Sequence, residues 1–156
     1  MEHQAYEPPP LPRPLQRRLG AALTWAAQNA QEMADVALKP LGLNVKHFGV
    51  MTLLRHQKNA AGGSASQQAI GERLRIDRTT MVALIDDLER AGYVKRERNP
   101  NDRRAYVLTL TATGRKAQAR AEKAIDSDAE QFFGRLSESE RQQLHRLLRR
   151  LNGEAE

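Results

Sequence analysis

The chain has 156 residues, a formal net charge of +6 and a sequence pI near 10.1, which favours anionic partners such as nucleic acid or a membrane surface. It has no cysteine, which excludes disulfides, cysteine-based zinc sites and thiol redox switching. No apolar run approaches the ~20 residues that span a bilayer, and the opening MEHQAYEPPPLPRP lacks a signal-peptide core, so a cytoplasmic protein is expected. Hydrophobic content of 40% suffices for one domain's core, but with three Phe, three Tyr and one Trp that core must be aliphatic.

Residues 1–14 hold five of the seven prolines and read as a flexible, extended arm. A helical period then runs through Leu15, Leu19, Leu23, Ala26, Ala30, Met33 and Ala37 and closes near Lys39-Pro40, giving a first helix over 15–39. Asn44 suits the N-cap of a second helix carrying Phe48, Met51 and Leu54. KNAAGGSAS (58–66) reads as a small-residue loop. Ser66 caps a short helix with Ile70 and Leu74 on one face. LRID breaks it, and Asp77 caps the next, on which Met81, Val82, Leu84, Ile85 and Leu88 are expected inward, ending at Gly92. Two short helices across a four-residue turn predict a helix-turn-helix.

A hairpin follows, with Ala105, Val107 and Thr109 alternating against Tyr106, Leu108 and Leu110 about an Asn99-Pro100-Asn101-Asp102 turn. Residues 93–104 carry five Lys/Arg against two Asp/Glu, so basic charge concentrates at the hairpin tip. Thr111 or Thr113 then opens a long polar helix to about Phe133, whose apolar stripe is thin: Ala117, Ala121, Ala124, Ile125 and Phe132. Ser137 and Glu140 form a capping box for a last helix with Leu144, Leu147, Leu148 and Leu151 on one face.

The element order predicts a mainly α fold with a small β-hairpin wing: a winged helix-turn-helix over 44–111 flanked by helices over 15–39 and 112–152. Such a fold suits double-stranded DNA. Arg78, Thr79 and Thr80 open the second helix of the motif, where side chains reach base edges in the major groove, and the basic hairpin can enter a neighbouring minor groove. Enzymatic readings fail on the residues. AAGGSAS lacks a P-loop's Lys-Ser/Thr, Asp86 and Asp87 point about 100° apart on a helix, and His3, His47, His56 and His145 have no metal-ligand spacing. No catalytic residue, metal ligand or cofactor is expected, and no basic amphipathic face with aromatic anchors suits a membrane.

The stretch SQQAIGERLRIDRTTMVALIDDLERAGYVKRERNPNDRRAYVLTLTATG resembles the DNA-binding core of the MarR family of bacterial transcriptional regulators. The wing is its most specific part: Arg96 after GYV, then Asp102-x-Arg104, Leu110-Thr111 and Gly114. With the flanking helices the resemblance covers 15–152 and leaves out the proline arm. It implies a homodimer with interlocked first, fifth and sixth helices, a palindromic operator and, usually, release by a small molecule, often an aromatic carboxylate or phenol.

By position, the resemblance implies that Arg104 inserts into the minor groove beside Arg103. Asp102 would brace the wing through an ion pair with Arg96, itself a DNA-binding candidate. Ser66 and Gln67 would anchor phosphates. Ala83 stands where relatives often carry a longer polar side chain. The effector pocket of relatives draws in Trp25, His47, Met51 and Arg55, with Trp25 stacking and His47 or Arg55 neutralising a carboxylate. A plainer alternative makes Trp25 and Met51 core and His47 surface. The function expected is a dimeric, ligand-responsive repressor; the alternative is an effector-independent DNA-binding or architectural protein of the same fold.

Overall fold

The structure is a computed structural model that describes residues 6–56, 66–99 and 102–154, with the side chains of 102–105 outside the description. Six α-helices and one hairpin follow in order among the described residues: α1 (Leu19–Leu38), α2 (Val45–His56), α3 (Gln67–Leu74), α4 (Arg78–Arg90), β1 (Val94–Asn99), β2 (Asp102–Leu110), α5 (Ala112–Phe133) and α6 (Glu138–Leu151). The fold is the mainly helical, winged arrangement expected. Most of the loop expected over 58–66, and the centre of the turn at Pro100-Asn101, lie outside the described residues. No helix among those described is long and apolar enough to cross a membrane.

Two compact units divide the chain, residues 35–124 and residues 1–34 with 125–156. The division falls inside α1 and α5.

The 35–124 unit has an aliphatic core. Leu38, Val50, Met51, Ile70, Met81, Ile85 and Leu88 are each 0–2% exposed, joined by Leu84, Val94, Leu108, Leu110, Ala117 and Ala121. Each large side chain so buried contributes about 1.5–3 kcal/mol. The buried amide of Gln118 donates to Thr52 Oγ1 (3.3 Å) and accepts from Arg55, whose guanidinium also meets Glu122 at 3.0 Å. Asn44 starts α2 as predicted: its side chain accepts from the His47 N–H at 3.0 Å.

In the other unit, the expected first helix starts late. Arg13–Leu15 form a 3-10 turn behind Pro12, with Pro14 inside it, and α1 begins only at Leu19. The proline segment lies along α1. The Trp25 indole N–H donates to Pro9 O at 2.9 Å, and the Tyr6 hydroxyl donates to Glu32 at 2.7 Å. Ser137 and Glu140 make the predicted capping box for α6. The leucines of this unit stay exposed: Leu15 38%, Leu19 84%, Leu23 44%, Leu144 37%, Leu147 47% and Leu151 71%.

Candidate nucleic-acid interface

The α3–α4 pair is built by two caps and a tight turn. Ser66 Oγ accepts from the Ala69 N–H at 3.1 Å, and Ile76 N–H donates to Gly71 O at 2.9 Å. A Cβ on Gly71 would sit 3.2 Å from Ile76 O, so the turn closes against a residue without a side chain. Asp77 caps α4 twice over: Oδ1 accepts from the Thr80 N–H (2.9 Å) and Oδ2 from the Thr80 hydroxyl (2.6 Å). That hydroxyl, followed by the backbone N–H, holds the Asp77 carboxyl below the usual carboxylate range.

Met81, Leu84, Ile85 and Leu88 pack inward from α4 as predicted. Val82 does not: it is 41% exposed and shares the outer face with Arg78, Thr79 and Ala83. Of the three residues expected to read bases, Arg78 and Thr79 are exposed, whereas Thr80 is half-buried with its hydroxyl proton on Asp77.

The wing is fixed to α4 by Arg96. Its guanidinium contacts Glu89 and lies 2.7 Å from Asp86, while its backbone N–H donates to Glu89 at 2.9 Å. Burial works against its charge, but the hydrogen bond to Asp86 and the attraction of both carboxylates overcome it and raise the guanidinium pKa. The expected pairing of Arg96 with Asp102 falls on a side chain outside the described residues. Asp86 and Glu89 stand one turn apart on α4, beside β1. Arg96 is thereby a brace between wing and helix. The backbones of Asp102, Arg103 and Arg104 run in β2, and their side chains lie outside the described residues. Farther along, Glu97 is held by Lys95 (2.6 Å) and Thr109 (2.7 Å), and Arg98 is exposed.

The base of the wing explains the Leu110-Thr111-x-x-Gly114 pattern physically. Thr111 Oγ1 accepts from the Gly114 N–H at 2.9 Å and donates to Gly92 O at 2.8 Å, while its backbone N–H donates to Tyr93 O at 3.0 Å. A Cβ on Gly114 would lie 2.0 Å from Tyr93 O. Only glycine fits. One joint therefore ties the end of α4, the start of β1 and the start of α5.

Between these parts lies an open concavity of about 1060 Å³ lined by Ser66, Gln67, Arg75, Arg78, Val82 and Tyr106, among others. It brings together three residues expected from sequence (Ser66, Gln67 and Arg78) with three that were not. Tyr106 is 55% exposed although it shares its strand parity with buried Leu108 and Leu110, because it lies farther from the core toward the tip. Arg75 is the one non-glycine residue with positive φ (54°) among the described residues, a conformation costing about 1–2 kcal/mol for an L-residue. No sequence rule singles it out, since a left-handed turn position calls for Gly or Asn.

The four ligand candidates fall on both units. Met51 is fully buried in the 35–124 core, and Arg55 is matched by Glu122. His47 is 8% exposed, not a surface residue. Its Nδ1 accepts from the Asn44 N–H (3.3 Å), which puts its proton on Nε2, and Nε2 faces Asp87 at 3.7 Å, beyond hydrogen-bond reach. Burial therefore outweighs the pull of Asp87 and Asp35, and its pKa falls below the ordinary 6.5. Trp25, in the other unit, lines a cavity of about 350 Å³ under Pro8–Pro10 with Asn29, Phe132 and Arg135. Among the described residues no cluster of three or more His, Asp or Glu could hold a metal ion.

Comparison with known proteins gives this geometry a family. A model described as MarR family matches residues 41–105. The candidate transcriptional regulatory protein for the hcr operon of Thauera aromatica is 40% identical over 86 residues, 55% of this chain and 52% of its own, so the chain spans about half of that relative's length. The transcriptional repressor CouR, solved bound to a 23-mer DNA duplex, is 32% identical with a TM-score of 0.78, covering 88% of this chain and 94% of that one. CouR from Rhodococcus jostii RHA1 bound to p-coumaroyl-CoA matches at 24% identity and a TM-score of 0.73, over 90% and 95% of the two chains. The chain belongs to the MarR family.

Proposed function

We propose that the protein is a sequence-specific DNA-binding transcriptional regulator, a repressor that acts as a homodimer on a palindromic operator. The observation that carries this reading is the outer face of α4. Arg78 and Thr79 stand exposed at its N-terminal end, beside a concavity walled by the start of α3 and by Tyr106 of the wing. Arg78 is suited to a bidentate contact with guanine, and Ser66 and Gln67 to phosphates at the N-terminus of α3. Arg103 and Arg104 serve the minor groove. The CouR complex with duplex DNA, at 32% identity, supports the same use of the fold.

The exposed leucines of α1 and α6 support dimerisation. A stripe with Leu147 at 47% and Leu151 at 71% exposure calls for a second copy, and an obligate interface is of this apolar kind. Two copies then present two α4 helices to half-sites one DNA turn apart, ~34–36 Å.

The effector in this reading is a small aromatic carboxylate or phenol. The cavity beside Trp25 suits it, with Trp25 and Phe132 offering ring faces and Arg135 a cation for a carboxylate. By linkage the effector must prefer free protein to operator-bound protein by the factor with which it weakens DNA binding. The test is footprinting on the protein's own upstream region, with and without a panel of hydroxybenzoates and hydroxycinnamates, following Trp25 emission in parallel. A protected palindrome, released by at least one compound that quenches Trp25, is the expected result. Protection that no compound relieves leaves the effector-independent DNA-binding protein, and an absence of protection removes the operator itself.

A further inference from the structure

We infer that Arg75, in the turn between α3 and α4, is a DNA-phosphate contact that seats α4 on the backbone of the duplex. The inference rests on the DNA-binding reading above and adds to it a residue that the wing and helix motifs do not contain. Its ground is a mismatch between backbone and side chain. Arg75 has φ 54° and ψ 39°, and its N–H donates to Glu72 O at 3.2 Å, so the turn uses only its backbone. The other positive-φ positions described, Gly42, Gly92 and Gly153, are all glycine, the residue that takes this conformation without strain. The chain therefore carries a long cation where the local fold favours no side chain.

That cation is also unmatched. Arg55, Arg90, Arg96, Arg141 and Arg149 each meet a carboxylate, whereas no ion pair holds Arg75 among the described residues. Glu72, three residues back, accepts instead from Gln68 at 2.9 Å. The Arg75 side chain is exposed and lines the same concavity as Ser66, Gln67 and Arg78. A planar guanidinium there has the geometry to give two parallel N–H bonds to the oxygens of one phosphodiester. Such a contact fixes the register of α4 on the duplex without reading a base.

The test separates this role from a structural one, because the two predict opposite effects of glycine. Full-length wild type, Arg75→Gly, Arg75→Asn and Arg75→Lys are compared in thermal unfolding and in salt titrations. The probes are a random-sequence duplex of two to three turns and a duplex selected by the wild type from a random pool. Arg75→Gly and Arg75→Asn should melt at or above wild type yet bind both duplexes severalfold more weakly. Their log K against log salt should be shallower by about 1 per bound protomer. Arg75→Lys should keep the wild-type slope, and all variants should select the same consensus. Glycine and asparagine variants that melt lower than wild type would assign the arginine to the turn and overturn the inference. So would wild-type affinity and slope in Arg75→Gly while Arg104→Ala binds weakly, an outcome that leaves the DNA-binding reading standing. Wild type that binds neither duplex overturns both.

Discussion

The two units of this chain treat their leucines in opposite ways. The 35–124 unit buries Leu38, Leu54, Leu84, Leu88, Leu108 and Leu110 and leaves its charged residues to the surface. The other unit leaves Leu15, Leu19, Leu23, Leu147 and Leu151 in solvent, and its α6 is held by a capping box and by Arg141, which bonds Leu136 O and Glu130, more than by a core of its own. A helix-turn-helix with a wing can close its core in one chain because hairpin, short helices and α5 cover one another. Two amphipathic helices at the chain's ends cannot. The core of the 35–124 unit is thus complete in one copy, while the other unit leaves its leucine stripes uncovered.

The sharpest way to break the first half is Gly114→Ala. With a Cβ 2.0 Å from Tyr93 O, the joint of α4, β1 and α5 must open, and we expect a loss of more than ~3 kcal/mol, read as a fall in the urea midpoint. A change under ~1 kcal/mol would mean that the joint gives way easily. The second half is broken by Leu147→Asp. Placing a charge in an apolar interface should abolish the dimer at micromolar concentration, seen by sedimentation as monomer or aggregate. A folded, dimeric Leu147→Asp protein would move the interface elsewhere.

Arg104→Ala sharpens the comparison from the DNA side. Operator affinity should fall by about 1–3 kcal/mol with the melting temperature unchanged. Equal affinity across a salt titration would take this residue out of the groove. The smallest effect is that of His47. Its folded pKa lies below 6.5, so the unfolded chain binds more protons between the two values. Stability is then fully present above pH 6.5 and declines as pH falls through that window. His47→Gln should flatten this segment of the stability–pH curve; an unchanged curve would assign the proton uptake to another group.

Most of the helix starts were legible in the residues. Caps at Asn44, Ser66, Asp77 and Ser137 signal helix starts because their side chains satisfy amides that nothing else would. The period of two marked β2 as a strand, though not which of its faces is buried. Val82 was misread as inward although Met81, Leu84, Ile85 and Leu88 already fill the i, i+3, i+4, i+7 face; one residue on, a side chain points about 100° away. That Arg96 reaches Asp86 and Glu89 was not legible, because sequence spacing does not show which carboxylates of a packed helix stand across from a strand. Arg75 was illegible because strain is a property of backbone angles, which no residue name discloses.

The central claim is that two copies of this chain grip one palindrome, each with its own α4 and wing. Sedimentation of the wild-type protein on a duplex selected from a random pool tests it most directly. The account predicts two protomers per duplex, on a consensus whose half-sites are centred about one DNA turn apart, ~34–36 Å. A single protomer bound to a site without twofold symmetry, or no sequence enriched at all, would contradict it.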